Sequence, residues 1–307
     1  MATTNNLTTT YAGEFAGKYV SAALLSGKTL AEGNITIKPN VKFKEVMKKV
    51  STDDIVKDAT CDFDATSTLT LTERILTPEE FQVNLQLCKK DFRSDWEAVQ
   101  MGYSAFDNLP PSFSDFLIAH VADKVAQRME NNIWSGANAN AGQFDGFTTT
   151  LTADGDVVDV AAGAVTSANV ITELGKIADA VPSAVYGSED LFVYVSNNIY
   201  RAYVRALGGF ATNVGAAGTD AKGTQWFNGG ALTFDGINIV MASGLANNTA
   251  VAAEKSNLFF GTGLLSDQNE VKVIDMADID GSQNVRVVMR FTAGIQHAIG
   301  SDIVLYS

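Results

Sequence analysis

The chain has little of what catalytic sites are usually built from. Among 307 residues there are two cysteines, Cys61 and Cys88, and two histidines, His120 and His297. Two cysteines cannot make a disulfide framework, and the count suits a reducing compartment. No C-x-x-C or H-x-x-x-H spacing is present, so no zinc site is expected. The opening residues, MATTNNLTTTYAGEF, have neither a basic nor an apolar segment, so no secretory signal is expected. No apolar run is long enough to span a membrane. Basic residues are also scarce: 22 Lys and Arg against 35 Asp and Glu leave a net charge of −13. That argues against nucleic-acid binding through a general basic surface.

The phosphate-binding and nucleophile motifs are missing as well. Gly261-Thr-Gly263-Leu-Leu-Ser lacks the third glycine of a dinucleotide loop, and no acidic residue follows at the required distance. There is no P-loop and no G-x-S-x-G elbow. Asp275, Asp278 and Asp280 have the wrong spacing for a calcium loop and read as a solvated turn, as do Asp154, Asp156 and Asp159. His120 reads as solvated and His297 as structural. No residue is therefore assigned a catalytic, cofactor-binding or metal-binding role, and the chain is not expected to be an enzyme.

What is present is a folded protein of one or two domains. Apolar residues make up 46%, charged residues 19%, and mean hydropathy is +0.05. Charge is unevenly spread: residues 1–110 carry 12 basic and 15 acidic side chains, residues 111–307 carry 10 and 20.

The clearest element is a helix over residues 112–135. Pro110 and Pro111 block an earlier start, Ser112 with Asp115 forms an S-x-x-D opening, and Gly136 supplies a stop. Ile118, Val121, Ala122, Val125, Ala126, Met129 and Ile133 share one face. His120, Asp123, Lys124, Gln127, Glu130 and Asn131 share the other. The first turn breaks the pattern, because Phe113, Phe116 and Leu117 lie on the azimuth that is polar further along. These three are the first candidates for contact with a different element or a different chain.

Residues 1–32 read as an arm with a weak helix at 11–25. Residues 33–68 read as a long flap, strand-like at first and then polar, too poor in apolar residues to own a core. Its lysines include Lys42, Lys44, Lys48 and Lys49, expected either to be solvated or to meet an acidic surface on a neighbour. An α+β unit follows, with strands at 69–78 and 83–88 and a short helix at 91–101. After a Gly/Asn/Ala/Thr-rich connection at 136–155 come small α/β elements. These are a helix from Ser167 to Pro182, a buried strand LFVYV, a helix at 198–207, a Gly-rich stretch at 208–230 and a Phe234-Asp-Gly-Ile237 hairpin. Short strands at 257–260 and 271–274 follow. The last long element, 285–295, alternates as a strand and is expected to return beside the strands at 69–88.

In this order the elements resemble the major capsid proteins of tailed bacteriophages, the Hong Kong ninety-seven capsid fold. NNIWSG with QFDGF, VSNNIYRAYVRALGG, LTFDGINIVMASG and NVRVVMRFTAGIQHAIGSDIVLY carry the resemblance. It implies an α+β fold with an N-terminal arm at 1–32 and an extended loop at 33–68. A peripheral domain with a long spine helix would occupy 69–147 and 275–295, and an axial α/β domain 148–274 and 296–307. It implies a virion subunit without cofactor, assembled in the host bacterial cytoplasm. Copies would associate in pentamers and hexamers of an icosahedral shell around double-stranded DNA, held without sequence-specific contact and with no membrane. Separate scaffold, portal and decoration proteins are the further partners the resemblance brings. Two alternatives stand beside it: an encapsulin-type nanocompartment shell, and an uncharacterised α/β enzyme.

Overall fold

The computed structural model describes residues 10–11, 28–52, 56, 58–59, 61, 68–88, 111–207, 232–263 and 270–307. In chain order these form β1 (Thr10–Tyr11), α1 (Lys28–Ala31), β2 (Thr36–Pro39), β3 (Glu45–Thr52), β4 (Leu69–Leu76), β5 (Glu79–Cys88) and the long helix α2 (Pro111–Ser135). There follow α3 (Phe147–Thr152), β6 (Val158–Val160), α4 (Val170–Ala180), β7 (Leu191–Val195), α5 (Asn197–Leu207), β8 (Leu232–Phe234) and β9 (Ile237–Met241). The last elements are β10 (Ala250–Glu254), β11 (Leu258–Thr262), β12 (Glu270–Asp275), α6 (Ala277–Asp280), β13 (Asn284–His297) and β14 (Val304–Tyr306). Most of the arm, the short helix expected at 91–101 and the Gly-rich stretch 208–230 lie outside the described residues.

The first sheet is built on β13. Its Val285, Val287, Met289, Phe291 and Ala293 alternate inward while Arg286 and Arg290 face out, the period-two pattern of a strand with one face on a core. One edge of β13 takes β5 antiparallel, from Asn284↔Cys88 to Ala293↔Glu79. The other edge takes β12 and then β11. β1 pairs with β12, and β2 runs parallel to β11. The return of the last long strand beside residues 79–88 is thus as expected. Leu69–Leu76 does not join it: β4 pairs antiparallel with β3 from Glu45↔Leu76 to Thr52↔Leu69, as a separate two-stranded hairpin. Periodicity gives a strand but not its partner, which is why residues 69–76 were expected in the peripheral unit. For the same reason β11 and β12, expected in the axial unit, lie in the β13 sheet, and the start of the expected flap, β2, is a sheet strand.

The second sheet has the order β6-β14-β10-β7-β9-β8. Both of its faces are covered. Leu191, Val193, Val195, Ala250, Ala252, Val304 and Tyr306 pack under α4 and α5, while Tyr194, Val251, Ala253 and Leu305 join the core around α2. This double burial explains the unbroken apolar runs of β7 and β10. α4 starts at Val170 rather than at Ser167, with Asn169 at its N-cap position. The β8–β9 turn has Asp235 and Gly236 both at positive φ, as the Asp-Gly pair leads one to expect.

Helix α2 joins the two sheets. Leu117, Ile118, Val121, Val125, Met129 and Ile133 are buried in one core with the inward side chains of β13 and with Val271 and Val273 of β12. At its exit Trp134 meets Phe147 of α3 at 5.4 Å and Tyr194 of β7 at 5.0 Å between ring centroids. The expected connection at 136–155 therefore contains a buried helical turn, α3. The glycines of this exit are required by space: a Cβ on Gly136 would lie 2.3 Å from the Phe144 carbonyl oxygen, and one on Gly244 would lie 2.1 Å from that of Glu130.

Candidate assembly surfaces

The β3–β4 hairpin has two unlike faces. Residues directly opposite across an antiparallel pair share a face. On one face stand Val46 with Ile75, Lys48 with Glu73, Val50 with Leu71, and Thr52 with Leu69. Among the described residues nothing buries this face: Val50 is 57%, Leu71 64% and Leu69 63% exposed, and Phe43 and Val56 near the ends of β3 are exposed further. On the opposite face, at the root, Met47 and Leu76 are buried with Val41 in a small cluster touched by Phe259 of β11. The hairpin is thus a two-stranded ribbon anchored at one end and apolar along one open side. Such a ribbon is marginal alone and gains from a surface to lie on.

The root is held by polar contacts too. Lys38 pairs with Glu45, and its Nζ lies 5.0 Å from the Phe259 ring centroid. The Gln296 side-chain amide donates to the Ile75 carbonyl at 3.1 Å. Arg74 donates from Nη2 to Asp154 Oδ2, which also accepts from His297 Nε2 at 2.8 Å. Because an ionised carboxylate only accepts, the His297 proton sits on Nε2. Burial pushes the Asp154 carboxyl up, but hydrogen bonds from His297 and the Asp156 backbone, with the Arg74 charge, outweigh it and hold it below the usual value. For His297, burial pushes the imidazole down, and Arg74 adds to that against the opposing pull of Asp154.

A second anchor holds the end of the arm. Thr29 is buried, its hydroxyl donating to Glu130 Oε1 at 2.5 Å and its amide to Glu130 Oε2 at 3.1 Å. Trp134 Nε1 donates to the Thr29 hydroxyl oxygen at 2.8 Å. Glu130, expected on the solvent face of α2, is instead buried under α1. A carboxylate so placed is tolerated because both oxygens are hydrogen-bonded.

The expected interface residues divide. Lys48 is exposed on β3, Lys42 and Lys44 are exposed in the segment leading into it, and Lys49 is half-buried. Leu117, expected at an interface, is buried in the protein's own core at 4% exposure and so is not open to a neighbouring copy. On the helix Leu117 lies one turn before Val121, so the same core reaches it beside Ile118. The side chains of Phe113 and Phe116 lie outside the described residues. Sequence reasoning missed Val50, Leu69 and Leu71 as open apolar residues, although their period-two spacing in a lysine- and threonine-rich ribbon carried the signal. Asp154 and Thr29 had no local signal, since their partners are 80 to 143 and 101 to 105 residues away.

Chemically, the Asp154–His297 pair resembles half of a hydrolytic triad, but the arrangement has no outlet. His297 is 1% exposed, and its Nδ1 is buried with no hydrogen-bond partner. Among the described residues, no Ser, Thr or Cys side chain is hydrogen-bonded to the His297 ring to be activated by it. Among the described residues, no group of three or more His, Cys, Asp or Glu side chains could hold a metal ion. No helix among them is long and apolar enough to cross a membrane.

No protein-family model matches the chain, and no curated protein matches it in sequence. Solved structures do match in fold. The capsid of an empty GTA particle superposes with a TM-score of 0.59 at 13% identity, covering 93% of this chain and 89% of that one. The capsid of Myoviridae phage XM1 superposes with a TM-score of 0.57 at 12% identity, covering 91% of each. The satellite phage P4 procapsid, solved with its size determination (Sid) protein, gives 0.54 at 10% identity, covering 94% of this chain and 98% of that one.

Proposed function

We propose that this chain, which has the phage capsid fold over about nine-tenths of its length, is the major capsid protein of a tailed bacteriophage. The observation that carries the reading is the β3–β4 hairpin, with an anchored root and an open apolar side. An isolated subunit gains nothing from exposing Val50, Leu69 and Leu71. A subunit in a ring covers them with its neighbour. Ring contacts of this kind are heterologous: one patch meets a different patch on the next copy. Six- and fivefold closure of the same contact gives the hexamers and pentamers of an icosahedral shell.

Within this reading the arm and the hairpin are the intersubunit extensions. The β13 sheet with α2 forms the peripheral domain, and the β6–β14–β10–β7–β9–β8 sheet with α4 and α5 the axial domain. Phe113, Phe116, Lys42, Lys44, Lys48 and Lys49 remain the proposed contact residues, now joined by Val50, Leu69 and Leu71. The shell encloses double-stranded DNA without sequence-specific contact, a reading supported by the net charge of −13, which leaves no general basic surface. It assembles in the bacterial cytoplasm with separate scaffold, portal and decoration proteins, and the subunit carries out no catalysis.

Electron microscopy and sedimentation of the full chain test the proposal. Rings or closed shells are expected. Replacing residues 50–71 with an Asn-Gly turn should leave a folded subunit that forms neither. A wild-type chain that stays monomeric at all concentrations, or small shells that hold an enzyme instead of DNA, would overturn it.

A further inference from the structure

Beyond the Lys38–Glu45 pair, the Gln296–Ile75 hydrogen bond and the burial of Met47 at the root, two side chains on the inward face of β4 reach the body. Leu76 fills an apolar slot: it is fully buried, and a Cβ on Gly261 would lie 2.7 Å from its Cδ2. An apolar slot holds a side chain in place without fixing its direction, because hydrophobic contact is not directional. Arg74, two residues along and further from the root than the Gln296–Ile75 hydrogen bond, makes a directional contact with Asp154. Two points define the line of a rod, and here one is a socket and the other a pin.

The pin is built to stay put. Asp154 Oδ2 is held from a second side by His297, and Oδ1 accepts from the Asp156 amide at 3.2 Å. Behind the carboxylate lies Gly300, where a Cβ would stand 2.3 Å from Asp154 Oδ2 and 3.2 Å from the Asp156 Cβ. The charged and titratable groups at this point are Arg74 from the hairpin, His297 from β13 and Asp156 beside Asp154. The carboxylate that meets the hairpin is thus fixed by the end of β13 and by the turn leading into the second sheet.

We infer that Asp154 is a positioning residue that sets the angle of the β3–β4 hairpin through Arg74, and so sets where the open apolar side meets the next copy. The geometry makes the pin sensitive. At about 3.4 Å per residue, Arg74 lies roughly 7 Å from the socket at Leu76, and Leu69 roughly 24 Å. A displacement at Arg74 is therefore magnified about threefold at Leu69. The consequence for the shell rests on the capsid reading. The angle itself does not, and it is measured on single subunits.

The test uses the full chain with Cys61→Ser and Cys88→Ser, spin-labelled at Thr52→Cys and Gln127→Cys. Labelled chain is diluted into excess unlabelled chain, so that only distances within one subunit are read by electron–electron double resonance. The expected result is one narrow distance peak in the parent and a broadened or displaced one in Arg74→Ala, with thermal unfolding nearly unchanged. Arg74→Lys should restore the narrow peak, and Lys48→Ala, on the open face, should leave it intact. Gly300→Ala removes no charge but displaces the carboxylate, and it should broaden the peak as Arg74→Ala does. A narrow, unshifted peak in both Arg74→Ala and Gly300→Ala, or a broad peak in the parent, would overturn the assignment. Either result would leave shell formation by the wild-type chain, and with it the capsid reading, untouched.

Discussion

Replacing Val50 and Leu71 together with serine removes one directly opposed pair from the open side of the hairpin. Fully burying a valine or leucine is worth about 1.5–3 kcal/mol. These two are 57% and 64% exposed in the subunit, so covering what remains contributes about 1–2 kcal/mol each. If a neighbouring copy supplies that cover, the double substitution weakens each hairpin contact by about 2–4 kcal/mol. Every subunit presents one hairpin, and each 1.4 kcal/mol is about tenfold in concentration. The threshold concentration for assembly should therefore rise between about 30-fold and several hundredfold. Folding of the subunit should change little, by under about 1 kcal/mol, because neither side chain is in a core. Light scattering against protein concentration gives the threshold, and denaturant unfolding of the unassembled subunit gives the control. A threshold within about twofold of wild type would refute the argument that this face is covered by a neighbour. So would an equal loss of subunit stability, which would mean that the two side chains are covered within the subunit.

Three further outcomes are expected. Thr29→Val keeps the shape of the side chain but leaves Glu130 Oε1 and Trp134 Nε1 without their partner. It should cost about 2–4 kcal/mol in denaturant unfolding, against well under about 1 kcal/mol for Thr29→Ser. His297 is held below its ordinary 6.5 and Asp154 below 3.8, so at both sites the unfolded chain binds protons more readily. Stability should fall as pH drops below about 6.5 through His297, and fall again below about 3.8 through Asp154. Glu79, raised by burial and by Asp145, opposes this. His297→Gln should flatten the upper part of the thermal-midpoint profile, and an unchanged profile would contradict the buried neutral imidazole. Phe113→Ser with Phe116→Ser should impair assembly more than subunit stability; equal losses would place both phenylalanines in the subunit's own core.

Local chemistry was legible and pairing was not. The apolar face of α2, the Asp-Gly turn, the buried strand at 191–195 and the alternating strand at 285–295 all follow from spacing, and the structure has each of them. What spacing cannot supply is the partner. Leu69–Leu76 has the same alternation whether it lies beside β5 or beside β3. It goes to β3 because Leu76 and Met47 share the socket over β11. Glu130 looked solvent-facing because the helical wheel of α2 cannot register α1, which covers it from 101 residues earlier in the chain. Asp154 looked like a solvated turn residue for the same reason: both of its side-chain donors come from outside its neighbourhood. The open side of the hairpin was hidden by its own composition, since lysines and threonines between Val50, Leu69 and Leu71 make the ribbon read as polar.

The position of β13 in the chain has a consequence for the order of events during synthesis. Its pairing partner β5 is finished roughly 200 residues before it, and Arg286 reaches back to Gln86 across that interval. At about 5–20 residues per second, β5 waits on the order of 10–40 s for its neighbour. The hairpin, whose strands lie close in sequence, can close in microseconds. Each nascent chain can thus sample its sticky ribbon, marginal on its own, before it has the sheet that anchors it. Completion of β13 acts as a clock: the ribbon gains its fixed root, and with it a defined direction, only when the subunit is nearly whole.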